Sequence, residues 1–138
     1  MTDRGVDDPV PGSLDFVYAP SREVVADVAA LVEHLGAQVV FAIDDGGTRV
    51  AMLRVGSGGP PILVTDHLPD ERPIFLYRVE DLPAAVERLR VGGWTADRSL
   101  ELPMGPCATF HAPGGLRLGL FELSRPGVVE SMTGRRDF

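Results

Sequence analysis

The order of apolar and polar residues runs through one set of elements and then repeats it. "SLDFVYA" (13–19) reads as a short strand. In "SREVVADVAALVEHLG" (21–36), Val24, Val25, Val28, Leu31, Val32 and Leu35 recur at helical spacing and predict a helix. Ser21 is the candidate N-cap, since its hydroxyl can accept an orphan amide hydrogen, and Gly36 suits a left-handed stop. "AQVVFAID" and "GTRVAMLRV" flank Asp44-Asp45-Gly46-Gly47, a hairpin signal because glycine permits positive φ. "PPILVTD" (60–66) is a further strand, and "HLPDERP" (67–73) reads as a linker.

The pattern then begins again. "IFLYRV" (74–79) predicts a strand and "EDLPAAVERLRVGG" (80–93) a helix, with Asp81 as its N-cap and Pro83 in its first turn. "WTADRSLEL" (94–102), "GPCATFH" (105–111) and "GLRLGLFEL" (115–123) follow as strands between Pro/Gly turns. The order is β-α-β-β-β twice, an α+β class. "FVY" (16–18) against "FLY" (75–77), and "GGPPILVTD" (58–66) against "GGLRLGLFE" (114–122), mark a repeat of about sixty residues. The expected organisation is a flexible leader (1–12), one domain of two modules (13–66 and 74–123) joined by the linker, and a polar tail (124–138) that docks on the body or on a partner.

Composition narrows the partners. The chain has 138 residues, is 44% hydrophobic and carries net charge −7, with 13 basic residues that are all arginine. An acidic surface disfavours nucleic acid and anionic membranes. The absence of lysine excludes Schiff-base chemistry and a pyridoxal-phosphate lysine. Cys107 stands alone, so neither an intrachain disulfide nor a cysteine-rich zinc site can form. No signal-type segment or membrane-length apolar run is visible, and a cytoplasmic location is the expectation.

The tandem modules, with "FVYAPSREVVADVAALVEHLG", "FLYRVEDLPAAVERL" and the closing "APGGLRLGLFEL", resemble the vicinal oxygen chelate superfamily over residues 13–123. That group includes glyoxalase I, extradiol dioxygenases and bleomycin-resistance proteins. The resemblance implies an incomplete, curved mixed β-barrel with helices outside, a ligand or metal on its concave face, and a homodimer. It also implies up to four metal ligands, one on the first and one on the last strand of each module. Carried over position by position, those places fall on Phe16, Leu63, Ile74 and Gly119. None can donate to a divalent ion, which needs several nitrogen or oxygen ligands converging within about 2.0–2.6 Å. No metal and no cofactor are therefore expected.

If those four face inward, their i±2 neighbours line the same face. The expected ligand-binding lining is then Phe16, Tyr18, Leu63, Thr65, Ile74, Leu76, Arg78, Cys107, Thr109, His111, Arg117, Gly119 and Phe121. It is mostly apolar, as a small-molecule pocket usually is, although the same residues could fill a closed core. Glu122 lies three residues past Gly119, so alternation sends it to the opposite face as a solvated carboxylate. The leading reading is a metal-free protein, similar to the bleomycin-resistance branch, that sequesters or carries a largely apolar small molecule. One alternative is a glyoxalase- or dioxygenase-like metalloenzyme with displaced ligands such as His67, His111 and Glu122. Another is a metal-independent enzyme using His111 or Tyr18 as acid or base.

Overall fold

A computed structural model describes residues 9–68 and 72–138. Residues 1–8 of the expected leader and 69–71 of the expected linker lie outside the described residues. The elements are β1 (Ser13–Pro20), α1 (Val24–Leu35), β2 (Gln38–Asp45), β3 (Thr48–Arg54) and β4 (Ile62–Thr65). They are followed by β5 (Ile74–Arg78), α2 (Leu82–Val91), β6 (Thr95–Leu102), β7 (Gly105–His111), β8 (Arg117–Phe121) and a short α3 (Val128–Met132). The βαβββ order thus occurs twice, and the class is α+β. By packing, the described residues form two units: those within 15–74 with Gly127–Phe138, and residues 9–14 with Phe75–Pro126.

In the first module the strands run β2-β3-β4-β1, with β1 parallel to β4 (Val17↔Ile62, Tyr18↔Leu63) and the other pairs antiparallel. Val24 and Val28 of α1 bury against Ala42, Ala51, Leu53 and Val64, while Ile62 packs at the margin. Of the six apolar residues at helical spacing, Val24, Val28 and Leu31 take the buried face, whereas Val25, Val32 and Leu35 are exposed. The β2–β3 turn needs positive φ at both central residues, and Gly46 (φ 62°) and Gly47 (φ 93°) supply it. Gly36 ends α1 in the left-handed region, its amide bonding the Val32 carbonyl. Ser21 is not the N-cap. The helix starts after Glu23, whereas the buried Ser21 hydroxyl accepts from the Glu23 amide and donates to Asp27 at 2.5 Å. The serine therefore ties the approach to the helix to Asp27 in its first turn.

The tail from Gly127 onward belongs to this unit. The Ala42 amide donates to the Arg135 carbonyl (2.8 Å) and the Asp137 amide to the Ala42 carbonyl (2.6 Å), a parallel bridge along β2. The Asp137 carboxylate accepts from the Asp44 amide. Its Arg135 partner and that amide hold its pKa below the ordinary value. Phe138 packs on the module's core. A polar stretch gives no sign of this pairing, because it depends on a partner about ninety residues away in sequence.

The second module orders its strands β5-β8-β7-β6. Ala85 of α2 packs with Val79, Ala108, Phe110 and Leu120, and Leu82, Val86, Leu89 and Trp94 close the margin. Asp81 caps α2 as expected, accepting from the Ala84 amide at 3.1 Å. Residues 9–12, expected as part of a flexible leader, are tied to this module. Val10 joins its core, and its carbonyl accepts the Tyr77 hydroxyl at 2.7 Å. Gly12 passes so close to β5 that an added Cβ would lie 2.2 Å from the Arg78 carbonyl. Only glycine permits that approach.

Glu122 is also corrected. It does face the helix side, away from Gly119, but it is half-buried and accepts from the Leu82 amide at 2.6 Å. With Asp81 it satisfies two orphan donors at the start of α2, where negative charge meets the positive end of the helix dipole. Glu122→Ala is expected to lower stability by about 1–2 kcal/mol, the loss of a capping group. Urea melts would show it as a lower midpoint at constant slope; an unchanged midpoint would contradict this role.

Candidate functional site

Strand alternation fixes which side chains share the face away from the helices. In the first module Ile62 and Val64 pack toward α1, so Leu63 and Thr65 take the other face, as do Phe16 and Tyr18. In the second, Ala108, Phe110, Leu118 and Leu120 pack toward α2. Cys107, Thr109 and His111 of β7 and Arg117, Gly119 and Phe121 of β8 therefore lie opposite, with Leu76 and Arg78 of β5.

Most of the expected lining is withheld from solvent. Leu63, Thr65, Ile74, Leu76, Cys107, Thr109, Gly119 and Phe121 are buried, and Phe16 and Tyr18 are half-buried. The two buried threonine hydroxyls are satisfied locally: Thr65 accepts from the His67 amide (3.2 Å), and Thr109 donates to the Arg98 carbonyl (3.3 Å). Burial pushes the Cys107 thiol up to about 12. Because the thiolate is the nucleophile, Cys107 is inert in the native state. Maleimide at pH 8 should label it only under unfolding conditions, and rapid native labelling would contradict this. The solvent-reachable polar groups of the lining are Arg78, His111 and Arg117.

His111 and Arg117 face one another across the β7–β8 pair. The structure adds a residue that the sequence reading missed. Asp97, on β6, places Oδ1 2.7 Å from His111 Nδ1, and its Oδ2 lies 3.9 Å from Arg117 Nε. The β6–β7 register slips between Ala96 and Arg98. That extra residue allows Asp97 and Arg98 to share the face of Thr109 and His111. A bulge in a strand with no apolar alternation leaves no trace in sequence, so Asp97 could not be matched to His111 beforehand. The His111 side chain is 41% exposed, Asp97 24% and Arg117 10%.

The donors present do not fit a resident divalent ion. Phe16, Leu63, Ile74 and Gly119 offer no coordinating side chain. Among the displaced candidates, Glu122 bonds the Leu82 amide, His111 bonds Asp97, and His67 is exposed just past β4. Among the described residues no three His, Cys, Asp or Glu side chains are close enough together to hold an ion.

Two clefts share only Arg78 with the expected lining. One, of about 650 Å³, is bordered by residues 11–13, Arg78–Glu80 and Glu122–Leu123 in the second unit. Another, of about 460 Å³, runs between α1 and β4 in the first, with Leu31, Leu35, Ile62 and Val64 among its walls. No helix among the described residues is long and apolar enough to cross a membrane.

No protein-family model matches the chain, and no curated protein matches it by sequence. Solved structures do match. The chain is similar to methylmalonyl-CoA epimerase from Mycobacterium tuberculosis, with 21% identity, 86% of this chain and 95% of that one covered, and a TM-score of 0.63. A hypothetical protein from Bacillus halodurans C-125 matches at 14% identity over 80% of this chain and 94% of that one, with a TM-score of 0.65. The Streptomyces coelicolor methylmalonyl-CoA epimerase, solved with 2-nitronate-propionyl-CoA, matches at 14% over 82% and 95%, with a TM-score of 0.63. Likeness at such identities speaks to the fold. With its tandem βαβββ modules, the chain has the fold of the vicinal oxygen chelate superfamily.

Proposed function

We propose that this chain is a metal-independent small-molecule-binding protein built on the vicinal oxygen chelate fold, similar to the bleomycin-resistance branch, which sequesters or carries a largely apolar ligand. The observation that carries this reading is the loss of donors at all four family ligand positions: Phe16, Leu63, Ile74 and Gly119. Within the second unit, Arg78, His111 and Arg117 reach solvent at the ends of their strands and would orient the polar end of such a ligand. The epimerases that share the fold act on a CoA thioester.

A thermal-shift screen of small apolar acids and aromatics, run with and without EDTA, tests the reading. Stabilising compounds should act equally in both arms, since a ligand raises stability through its own binding equilibrium. Stabilisation that disappears with chelator would overturn it. We place the protein in the cytoplasm, where a single buried thiol stays reduced, and expect no nucleic-acid or membrane partner. We also expect a homodimer, because β6 ends its sheet with Thr95–Ser99 exposed. A monomeric mass by sedimentation at micromolar concentration would contradict the last point.

A further inference from the structure

The residues around His111 resemble a working base more than a surface ion pair. Three observations converge. First, the imidazole is held through Nδ1 at 2.7 Å by a carboxylate, which can only accept a hydrogen bond. That contact places the neutral ring's proton on Nδ1 and leaves the lone pair on Nε2. The 41% exposure of the side chain leaves that ring open to a small molecule. Second, the parts stand on three paired strands rather than on a loop: Asp97 on β6, His111 on β7 and Arg117 on β8. Paired strands hold a constellation more tightly than loops do. Third, the local charge runs against that of the molecule. On a chain of net charge −7, the Arg117 guanidinium stands beside this pair, opposite His111 on β8 and with Nε 3.9 Å from Asp97 Oδ2.

We propose that His111, positioned by Asp97 and flanked by Arg117, is a metal-independent proton-transfer site for small molecules whose acidic hydrogen, once lost, leaves an oxyanion. Nε2 takes the proton and the ring becomes an imidazolium hydrogen-bonded to Asp97. The electron pair of the broken bond stays on the ligand, and the resulting oxyanion charge lies toward the Arg117 guanidinium. Return of the proton from Nε2 to the ligand, or to water, restores the neutral ring. No metal, oxidant or co-reactant enters the balance. His111 is the catalytic residue, and Asp97 acts through it as a positioning residue.

This extends the metal-independent reading but stands on second-module residues alone. The probe is nitrobenzisoxazole, assayed in EDTA on protein whose metal content is measured separately, so a failure here is distinguishable from a failure of that reading. His111 Nε2 removes the ring C–H proton, those electrons form the new nitrile bond, and the N–O bond breaks to release a coloured phenolate. The wild-type protein should exceed an equal concentration of free imidazole by roughly 10²-fold or more, the range of a positioned general base. His111→Gln should abolish the excess. Asp97→Asn should reduce it and convert the imidazole ¹⁵N spectrum from a single Nδ1–H tautomer to a mixture, while Asp97→Glu should restore part of both. A wild-type rate no greater than that of free imidazole, or full activity in a folded His111→Gln protein, would overturn the proposal. So would an unchanged tautomer in Asp97→Asn.

Discussion

Replacing Phe110 with alanine will destabilise the protein by about 3–5 kcal/mol, a large part of the total stability of a domain this size. Phe110 is fully buried on β7, and it packs in the cluster that joins α2 to the second-module sheet. Truncation removes the transfer free energy of the ring and leaves a cavity. Strands paired on both sides of β7 limit how far that cavity can collapse. Phe75→Ala is the matched control. Phe75 is 38% exposed on β5, and its loss should cost about 1 kcal/mol or less. Urea melts of both variants test the assignment of the core. A Phe110→Ala midpoint within error of the wild type would refute it.

Gly105→Ala is expected to cost about 3 kcal/mol, at the upper end of the usual penalty for overpacking. A Cβ at Gly105 would sit 2.0 Å from the Glu122 carbonyl oxygen and 2.9 Å from Ser124 Oγ. The serine could rotate away, but the carbonyl could not. Hydrogen bonds from the Glu122 amide to Pro106 and from the Ser124 amide to Met104 fasten the chain on either side of the glycine. The variant must therefore break part of this backbone ladder or distort the start of β7. Gly114→Ala, with nothing within 4 Å of the added atom, should be close to neutral. Equal midpoints for the two variants would show that the close approach carries no energetic weight.

The repeated βαβββ pattern was legible because α1 and α2 each bury apolar residues at helical spacing and Pro/Gly turns separate the strands. Asp81 and Gly36 could be assigned from local rules alone, since a cap and a left-handed stop depend on a few adjacent residues. Features made by distant partners were not legible. Ser21 looks like a cap in isolation, yet Asp27 engages its hydroxyl two residues before the helix boundary. Glu122 reads as a solvated carboxylate until α2 is placed beside it. The last residues of the chain read as a plain polar tail until β2 is seen to pair with them.

The site divides along the same line. The faces of Leu63, Gly119 and their neighbours follow from a period of two. Asp97 does not, because its meeting with His111 depends on a register shift between β6 and β7. Buried Thr65 and Thr109 offer a further lesson. These two hydroxyls, on the face expected to line a pocket, are already satisfied by the backbone, and the proposed function therefore assigns a polar ligand group to the exposed ends of the strands. His111 and Arg117 stand at one such end.

The proposed function puts Phe16, Leu63, Ile74 and Gly119 in place of a metal site. Its most direct test is the metal content of protein expressed in metal-supplemented medium, purified without chelator and measured by inductively coupled plasma mass spectrometry. The expected result is far less than one divalent ion per chain, with no change in melting temperature on adding EDTA. A stoichiometric ion that lowers the melting temperature when removed, and is lost in a His111→Ala or Glu122→Ala protein, would contradict the account.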